Sequence, residues 1–202
     1  MHGTPEFALD PDRSAWETAA HASRAHQRLA GAIGAFLRRL SARTCCSYGV
    51  GRGMLEYWLA REWPEGRLTA TELDGPVAER LEGFLAPVRV VPHDLGRDPP
   101  LPCDLHLLVR VDTEFSQPEW RALFRRFAGR RLLVVPAQPI TLRSLAVQLR
   151  ALARGRGVAR AGWCRNRAAM RDGWGATHKT TVIRLGDHRS WSLEPLGRDP
   201  GT

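Results

Sequence analysis

The chain has 202 residues, 43% of them hydrophobic, which suits one globular domain with a sizeable core. No apolar run approaches the roughly 18 residues that span a bilayer, and the first residues have no signal-peptide character, so we expect a cytoplasmic protein with no membrane partner. The cysteines lack the paired C-x-x-C spacing of a zinc site, so we predict buried free thiols and no metal.

The formal net charge of +9 is concentrated in one segment. Residues 121–171 contain thirteen arginines and no acidic residue, whereas the rest of the chain has 17 basic and 21 acidic residues. Such a segment can attract phosphate backbones or an anionic small substrate. It lacks the interleaved aromatic residues expected of a single-strand binder. Nucleic acid is therefore a possible partner that the sequence does not favour.

The first 42 residues are predicted to form a helical extension, followed by one globular unit over residues 43–202. Ser14-Ala15-Trp16-Glu17 fits a capping box, and apolar residues at helical spacing continue to Leu40. One long helix or two consecutive helices are consistent with this pattern. Gly31 and Gly34 are the candidates for a break between two helices.

The glycine-rich stretch after the first predicted strand is the most informative part of the chain. A strand over 43–48 leads into glycines at positions 49, 51 and 53, and a helix is predicted from Met54. Without Cβ atoms a ligand can approach this backbone closely, and the free N–H groups of the first helical turn point back at the loop. The pattern predicts a nucleotide-type site at the edge of a parallel sheet, and the alternative is a simple tight turn.

The second predicted strand, 67–72, ends in an acidic residue. Glu72 lies 19 positions after Gly53, a distance that places a carboxylate to accept the hydroxyls of a ribose. Asp74 is the predicted N-cap of a helix over 76–85. The alternative is that both acids serve the start of this helix.

Two further strands deliver polar residues to their carboxyl ends. A third strand, 88–92, leads into His93 and Asp94, and a fourth, 104–111, leads into Asp112 and Glu114. Open α/β sheets bind their ligands at the carboxyl ends of the strands. His106 lies inside the apolar fourth strand, so we expect a core residue there.

The remaining elements complete an α/β pattern. We predict helices over 117–128 and 141–154 around a fifth strand at 131–135, then a strand that ends at 163–166 and a short helix over 167–174. Two last strands, 180–185 and 190–193, are joined by a turn at 186–189.

These motifs resemble those of the class I, Rossmann-like S-adenosylmethionine-dependent methyltransferases, over about residues 44–137. Tyr48-Gly49-Val50-Gly51-Arg52-Gly53 is similar to the family's glycine motif, Thr71-Glu72-Leu73-Asp74 to its ribose motif, and His93-Asp94-Leu95 to its adenine-side motif. The resemblance implies an open, mostly parallel, seven-stranded doubly wound sheet with a closing antiparallel hairpin and N-terminal helices. It also implies S-adenosylmethionine as the cofactor.

The resemblance assigns roles to particular residues. The three loop glycines would flank the methionine part, Glu72 would hold the ribose and Asp94 would receive the adenine amino group. The full predicted set of cofactor contacts is Ser47, Tyr48, Gly49, Gly51, Gly53, Glu72, Leu73, His93, Asp94, Leu95 and Arg110. In relatives, helices before the first strand often close over the cofactor, which would bring His21, Arg24, His26 and Arg28 toward the site; a solvated helix face is the alternative.

One departure from the family pattern concerns the first motif. Ser47 occupies the position, two residues before the first glycine, at which the family usually has an acid. Recognition of the cofactor's α-amino group is therefore left open. A nicotinamide cofactor is the alternative ligand, since it uses a similar fold.

Methyl transfer requires few compulsory residues, because much of the rate comes from holding the acceptor near the methyl group. Asp112 and Glu114 are the predicted catalytic residues, to orient or deprotonate an acceptor. The alternative is that Asp112 caps a turn and Glu114 is solvated. We expect methyl transfer to a small molecule; the alternatives are an RNA or protein acceptor bound through residues 121–171, and a methyltransferase-like nucleotide-binding protein without catalysis.

Overall fold

The computed structural model describes residues 22–137 and 165–197. The helices in these ranges are α1 (Ala22–Arg39), α2 (Met54–Glu62), α3 (Gly75–Leu85), α4 (Gln117–Arg126) and α5 (Arg167–Trp174). The strands are β1 (Thr44–Tyr48), β2 (Arg67–Glu72), β3 (Arg89–Pro92), β4 (Leu105–Val109), β5 (Leu132–Val135), β6 (His178–Leu185) and β7 (His188–Pro195).

The described strands form one seven-stranded sheet in the order β3-β2-β1-β4-β5-β7-β6. The strands β1 to β5 are parallel to their neighbours, whereas β7 is antiparallel to β5 and pairs with β6 as a hairpin. The predicted fold class is therefore confirmed. The strand order reverses between β1 and β4, which is where a crevice opens at the carboxyl ends of the strands.

The inner strands are buried on both faces, as their apolar composition requires. Because successive side chains of a strand point to opposite faces, neighbouring residues enter different cores. Cys45 and Leu107 lie in the core that packs against α1, α2 and α3, whereas Cys46 and Leu108 lie in the core that packs against α4 and α5. The sheet is thus the middle of three layers.

Helix α1 continues through Gly31 and Gly34, so neither glycine marks a break, and of the two alternatives the described residues agree with one long helix. Gly34 has a packing role instead. A Cβ atom at Gly34 would lie 3.1 Å from the backbone oxygen of Glu62, so the small residue lets α1 approach the end of α2. Residues 14–17, the predicted capping box, lie outside the described residues.

The fourth strand ends at Val109 rather than at residue 111. Arg110 adopts a left-handed conformation with φ of 58°, and a short 3-10 turn, Val111–Thr113, follows it. A strand cannot continue through this conformation. The residues after β4 therefore turn sharply at the edge of the sheet.

Two other predicted elements need comment. Arg165 and Asn166 are not part of a strand, because the Asn166 side chain accepts the Ala169 amide and caps α5. Residues 163–164 and the helix predicted over 141–154 lie outside the described residues. Asp74 caps α3 as predicted, with its carboxylate 3.1 Å from the Val77 amide. In the described ranges, no helix is long and apolar enough to cross a membrane.

Candidate functional site

A cavity of about 640 Å³ lies at the carboxyl ends of the parallel strands. It is lined by the residues that follow β1, β2, β3 and β4, with His26 and Leu29 of α1 on another side. Ten of the eleven predicted cofactor contacts line it, namely Tyr48, Gly49, Gly51, Gly53, Glu72, Leu73, His93, Asp94, Leu95 and Arg110. The fold brings these residues together, and their roles toward a cofactor stay predictions.

The glycine loop is built on left-handed backbone at three positions. Gly49, Gly51 and Gly53 have φ angles of 69°, 55° and 75°, which side-chain-bearing residues rarely adopt. A Cβ atom at Gly53 would lie 2.8 Å from Leu85, whereas one at Gly51 would have no atom of the protein within 4 Å. Gly51 therefore presents bare backbone to the cavity.

Glu72 is held at the cavity edge by two backbone amides. Its Oε2 accepts from Gly51 N at 3.1 Å and its Oε1 from Leu73 N at 2.9 Å. These bonds fix the carboxylate between the glycine loop and the end of β2. Leu73 beside it is 68% exposed, so a large apolar side chain is available to cover a flat ligand group.

The residues after β3 form the third wall of the cavity. His93 is buried, its ring lies 5.4 Å from that of Tyr48, and burial lowers its pKa, which keeps the imidazole neutral. Its Nε2 has no hydrogen-bond partner among the residues that the structure describes. One oxygen of Asp94 accepts a hydrogen bond from the Gly96 amide at 2.7 Å. This bond orders the loop that carries the Asp94 carboxylate and the His93 ring.

Tyr48 and His106 form a buried polar pair behind the cavity. The Tyr48 hydroxyl lies 3.0 Å from His106 Nδ1 and accepts the Leu101 amide at 3.1 Å. Burial lowers the pKa of His106 to about 4, so the ring is neutral. His106 is thus a satisfied core residue, as its position in an apolar strand predicts.

Ser47 does not line the cavity, in contrast to the prediction. It is 1% exposed, and its hydroxyl donates to Glu56 Oε1 at 2.6 Å. Glu56, in the first turn of α2, is 2% exposed and does line the cavity. Burial raises the pKa of Glu56 to about 7, although the Ser47 hydrogen bond opposes this rise.

The sequence alone does not single out Glu56 among the helix-forming residues that follow the glycine loop. The signal available in the sequence was its setting. Glu56 stands between Leu55 and Tyr57, two apolar residues that are buried in the structure, and it follows a loop that lacks its usual acid.

The two predicted catalytic residues have different environments. Asp112 is 5% exposed, its Oδ1 accepts the Ala137 amide at 2.8 Å, and it does not line the cavity. Burial raises its pKa, and the bond from Ala137 opposes this. Glu114 is exposed and lines the cavity. The geometry therefore gives Asp112 a structural contact, and its catalytic role stays a prediction.

The polar residues of α1 are only partly directed to the site. His26 lines the cavity, whereas Arg28 lies 3.9 Å from Asp187 in the β6–β7 turn, and neither Arg28 nor Arg24 lines the cavity. His21 lies outside the described residues. Among the described residues, no group of three or more His, Cys, Asp or Glu side chains is arranged to hold a metal ion.

No protein-family model matches this chain, and no curated protein matches it in sequence. Solved structures do match its fold. The mitomycin 7-O-methyltransferase MmcR superposes with a TM-score of 0.62 at 24% identity, over 92% of this chain and 59% of that chain. Human N-acetylserotonin methyltransferase, in complex with SAM, superposes with a TM-score of 0.64 at 16% identity, over 84% of this chain and 52% of that chain.

A third similar structure is the N,N-8-amino-8-demethyl-D-riboflavin dimethyltransferase RosA from Streptomyces davawensis. It superposes with a TM-score of 0.62 at 20% identity, over 87% of this chain and 56% of that chain. The present chain thus spans between about half and three fifths of the length of these proteins. Together with the sheet order and the position of the cavity, this likeness shows that the chain has the fold of the class I S-adenosylmethionine-dependent methyltransferases.

Proposed function

We propose that the protein is an S-adenosylmethionine-dependent methyltransferase that acts on a small-molecule acceptor. The observation that carries this proposal is the convergence of a glycine loop, a carboxylate after β2 and a His-Asp pair after β3 around one cavity of about 640 Å³. The glycine loop follows β1, one of the two strands between which the strand order reverses, and open α/β sheets bind nucleotides at this point.

The residues present fit an adenosyl cofactor. Glu72 uses one lone pair on each oxygen to accept an amide, and so retains acceptor capacity for two ribose hydroxyls. The unpartnered Nε2 of His93 can bond the polar edge of a base. Asp94 Oδ2 lies 3.6 Å from Arg97 Nε and, as a carboxylate oxygen, retains a further acceptor site. Leu73 and Leu95 supply apolar surface for its faces.

Bound in this cavity, the cofactor would supply an electrophilic methyl group for an in-line displacement. The contribution of the protein is to hold the acceptor in near-attack geometry. The other residues that line the cavity after β4 and on α1 are placed for this, among them His26, Glu114 and Phe115. Of these, Glu114 has the chemistry to orient an acceptor group or to take its proton.

In our proposal, Asp112 holds in place the turn after β4 that carries Glu114. Its carboxylate holds the Ala137 amide, and its backbone oxygen accepts a hydrogen bond from Arg165. Both contacts tie the turn after β4 to neighbouring parts of the chain. Asp112 is therefore a positioning residue for Glu114, and Glu114 is the preferred catalytic candidate.

The use of the arginines supports a small acceptor over RNA. The structure describes eight of the thirteen arginines in residues 121–171, and four of them bond within the protein. Arg121 pairs with Asp172 and Arg131 with Glu194, while Arg126 and Arg165 donate to backbone oxygens. Part of the basic charge is therefore committed to holding the fold. The acceptors named for the similar structures, mitomycin and N-acetylserotonin among them, are small molecules.

The test is binding calorimetry followed by a search for product. We expect S-adenosylmethionine and its demethylated product to bind with roughly micromolar affinity, about −8 kcal/mol. Binding of NAD with no response to either sulfur ligand would overturn the proposal. Methylated product from small-molecule pools, with little dependence on salt, supports the small acceptor, whereas steep loss of acceptor binding with salt indicates RNA.

A further inference from the structure

Glu56 is a buried carboxylate at the inner wall of the cavity. It is 2% exposed, yet it lines the same space as the glycine loop and Glu72. Its position in the first turn of α2 directs it toward the end of the loop, where the helix dipole favours a negative charge. The Ser47 hydroxyl, 2.6 Å from Oε1, fixes one of its oxygens.

A carboxylate in this environment is costly unless a cation neutralises it. Burial and the charge of Glu72 raise the pKa of Glu56, and hydrogen bonds from the Ser47 hydroxyl and from the Glu56 backbone N–H lower it. Within the described part of the chain, no cation contributes to this pKa. Buried charges in proteins are usually paired. Without a cation, burial keeps this carboxyl protonated up to about pH 7. A cationic ligand group in the cavity could supply the partner that the described residues lack.

We propose that the Glu56 carboxylate, oriented by Ser47, binds the α-ammonium group of the methionine part of the cofactor. This inference rests on the proposed function, since it assumes an adenosyl cofactor with its amino-acid end beside the glycine loop. It also explains Ser47. The acid expected on β1 is absent, and a carboxylate on α2 reaches the cavity in its place, with Ser47 serving as its hydrogen-bond donor.

The arrangement makes cofactor binding depend on pH. A ligand ammonium favours the charged form of Glu56, so binding drives off the proton that burial helps to retain near neutral pH. Other titratable or charged groups surround this end of the site: Cys45 on β1, Arg52 in the loop, Glu72 after β2, Arg110 and Glu114 after β4, and His26 on α1. The experiment must therefore separate Glu56 from these groups.

The test compares two ligands and two variants by calorimetry. S-adenosylhomocysteine has the ammonium group, whereas methylthioadenosine has the same adenosine thioether without the amino acid. We expect Glu56→Gln to weaken binding of S-adenosylhomocysteine roughly tenfold to a hundredfold and to change that of methylthioadenosine by less than about twofold. Glu62→Gln, at the far end of the same helix, is the matched control and should change neither.

The pH dependence gives a second readout. For the wild-type protein, affinity for S-adenosylhomocysteine should rise roughly tenfold between pH 5.5 and pH 7.5, and that for methylthioadenosine should stay level. Glu56→Gln should remove this rise. Retained methylthioadenosine binding shows that the variant is folded.

The outcomes separate the two proposals. If the wild-type protein binds neither adenosine ligand, the proposed cofactor is wrong. If it binds both and Glu56→Gln weakens them equally or not at all, the cofactor proposal survives, Glu56 serves only to tie β1 to α2, and the inference about the ammonium group is overturned.

Discussion

The two sides of the cavity are built in different ways. On the side proposed for the cofactor, formed by the carboxyl ends of β1, β2 and β3 and the residues after them, polar groups are fixed by backbone bonds, as Glu72 is by Gly51 and Leu73. On the side proposed for the acceptor, formed by the residues after β4 and by α1, Glu114 is exposed. Asp112 is buried, and its carboxylate is bonded to Ala137.

The two sides therefore take their geometry from different sources. The cofactor side depends on local backbone conformation, because left-handed glycines and strand ends place the donors and acceptors. The acceptor side depends on side chains brought together from distant parts of the chain. We therefore expect changes on the cofactor side to alter affinity, and changes on the acceptor side to alter turnover or stability.

The largest expected effect is that of Gly51→Val on cofactor affinity. A β-branched residue is strained at φ of 55° and places its methyl groups in the cavity, so binding of S-adenosylhomocysteine should fall by roughly a hundredfold or more. Gly186→Val is the matched control, because Gly186 has φ of 57° and open space around it in the β6–β7 turn. Both variants should lose stability in a thermal melt, and only Gly51→Val should lose affinity. Equal affinity losses would contradict our placement of the ligand.

The burial of Glu56 should appear in the stability of the ligand-free protein. Its pKa rises from an ordinary value of 4.5 to about 7, so the native state holds a proton that the unfolded chain has released. Stability from this group is therefore present below about pH 4.5 and is lost as the pH rises to about 7, by about 3 kcal/mol at most.

The Glu56→Gln variant has no ionisable group at this position, so it should not show this loss of stability. Urea unfolding without ligand should find the variant more stable than the wild-type protein at pH 8, with a smaller difference at pH 5. A variant that is less stable than the wild-type protein at pH 8 would show that Glu56 stabilises the fold in the absence of a bound cation.

Glu72→Ala tests the ribose contact. A carboxylate that accepts hydroxyl hydrogen bonds contributes roughly 1.5 to 3 kcal/mol, so calorimetry should show cofactor binding weaker by about tenfold to a hundredfold. Asp74→Ala is the control, since Asp74 caps α3 and its loss should cost about 1 kcal/mol of stability without changing affinity. The reverse result, with affinity lost only in Asp74→Ala, would mean that the wrong acid is assigned to the ribose.

Asp112→Asn has the smallest expected effect. The Asn side-chain oxygen can still accept the Ala137 amide, so stability should change by about 1 kcal/mol or less and turnover should be nearly normal. Glu114→Gln, two residues on, should lower turnover roughly tenfold to a hundredfold and leave cofactor affinity intact. If Asp112→Asn instead lowers turnover a hundredfold at unchanged stability, Asp112 is the catalytic residue.

Much of the cofactor side was predictable because its signals are local. The three loop glycines predict left-handed backbone, which the structure has. Glu72 is the last residue of a strand whose bounds the sequence predicts, and Asp74 caps the next helix as its position suggests. The end of β4 was not predictable in the same way. Apolar residues continue past Val109, but Arg110 turns the chain, and no residue type there signals a left-handed conformation.

Three features could be predicted from the amino-acid sequence: the strand–loop–helix motif, the order of polar residues at the strand ends and a mostly parallel sheet. These follow from backbone preferences and hydrophobic pattern, which act between near neighbours in the chain. Three other features became visible only in the folded protein: Gly34 lets α1 pack on α2, Asp112 bonds to Ala137, and Glu56 reaches the cavity beside Ser47. Each of these depends on how separate elements meet, because burial and hydrogen-bond partners are set by packing across elements rather than by the residues next in sequence.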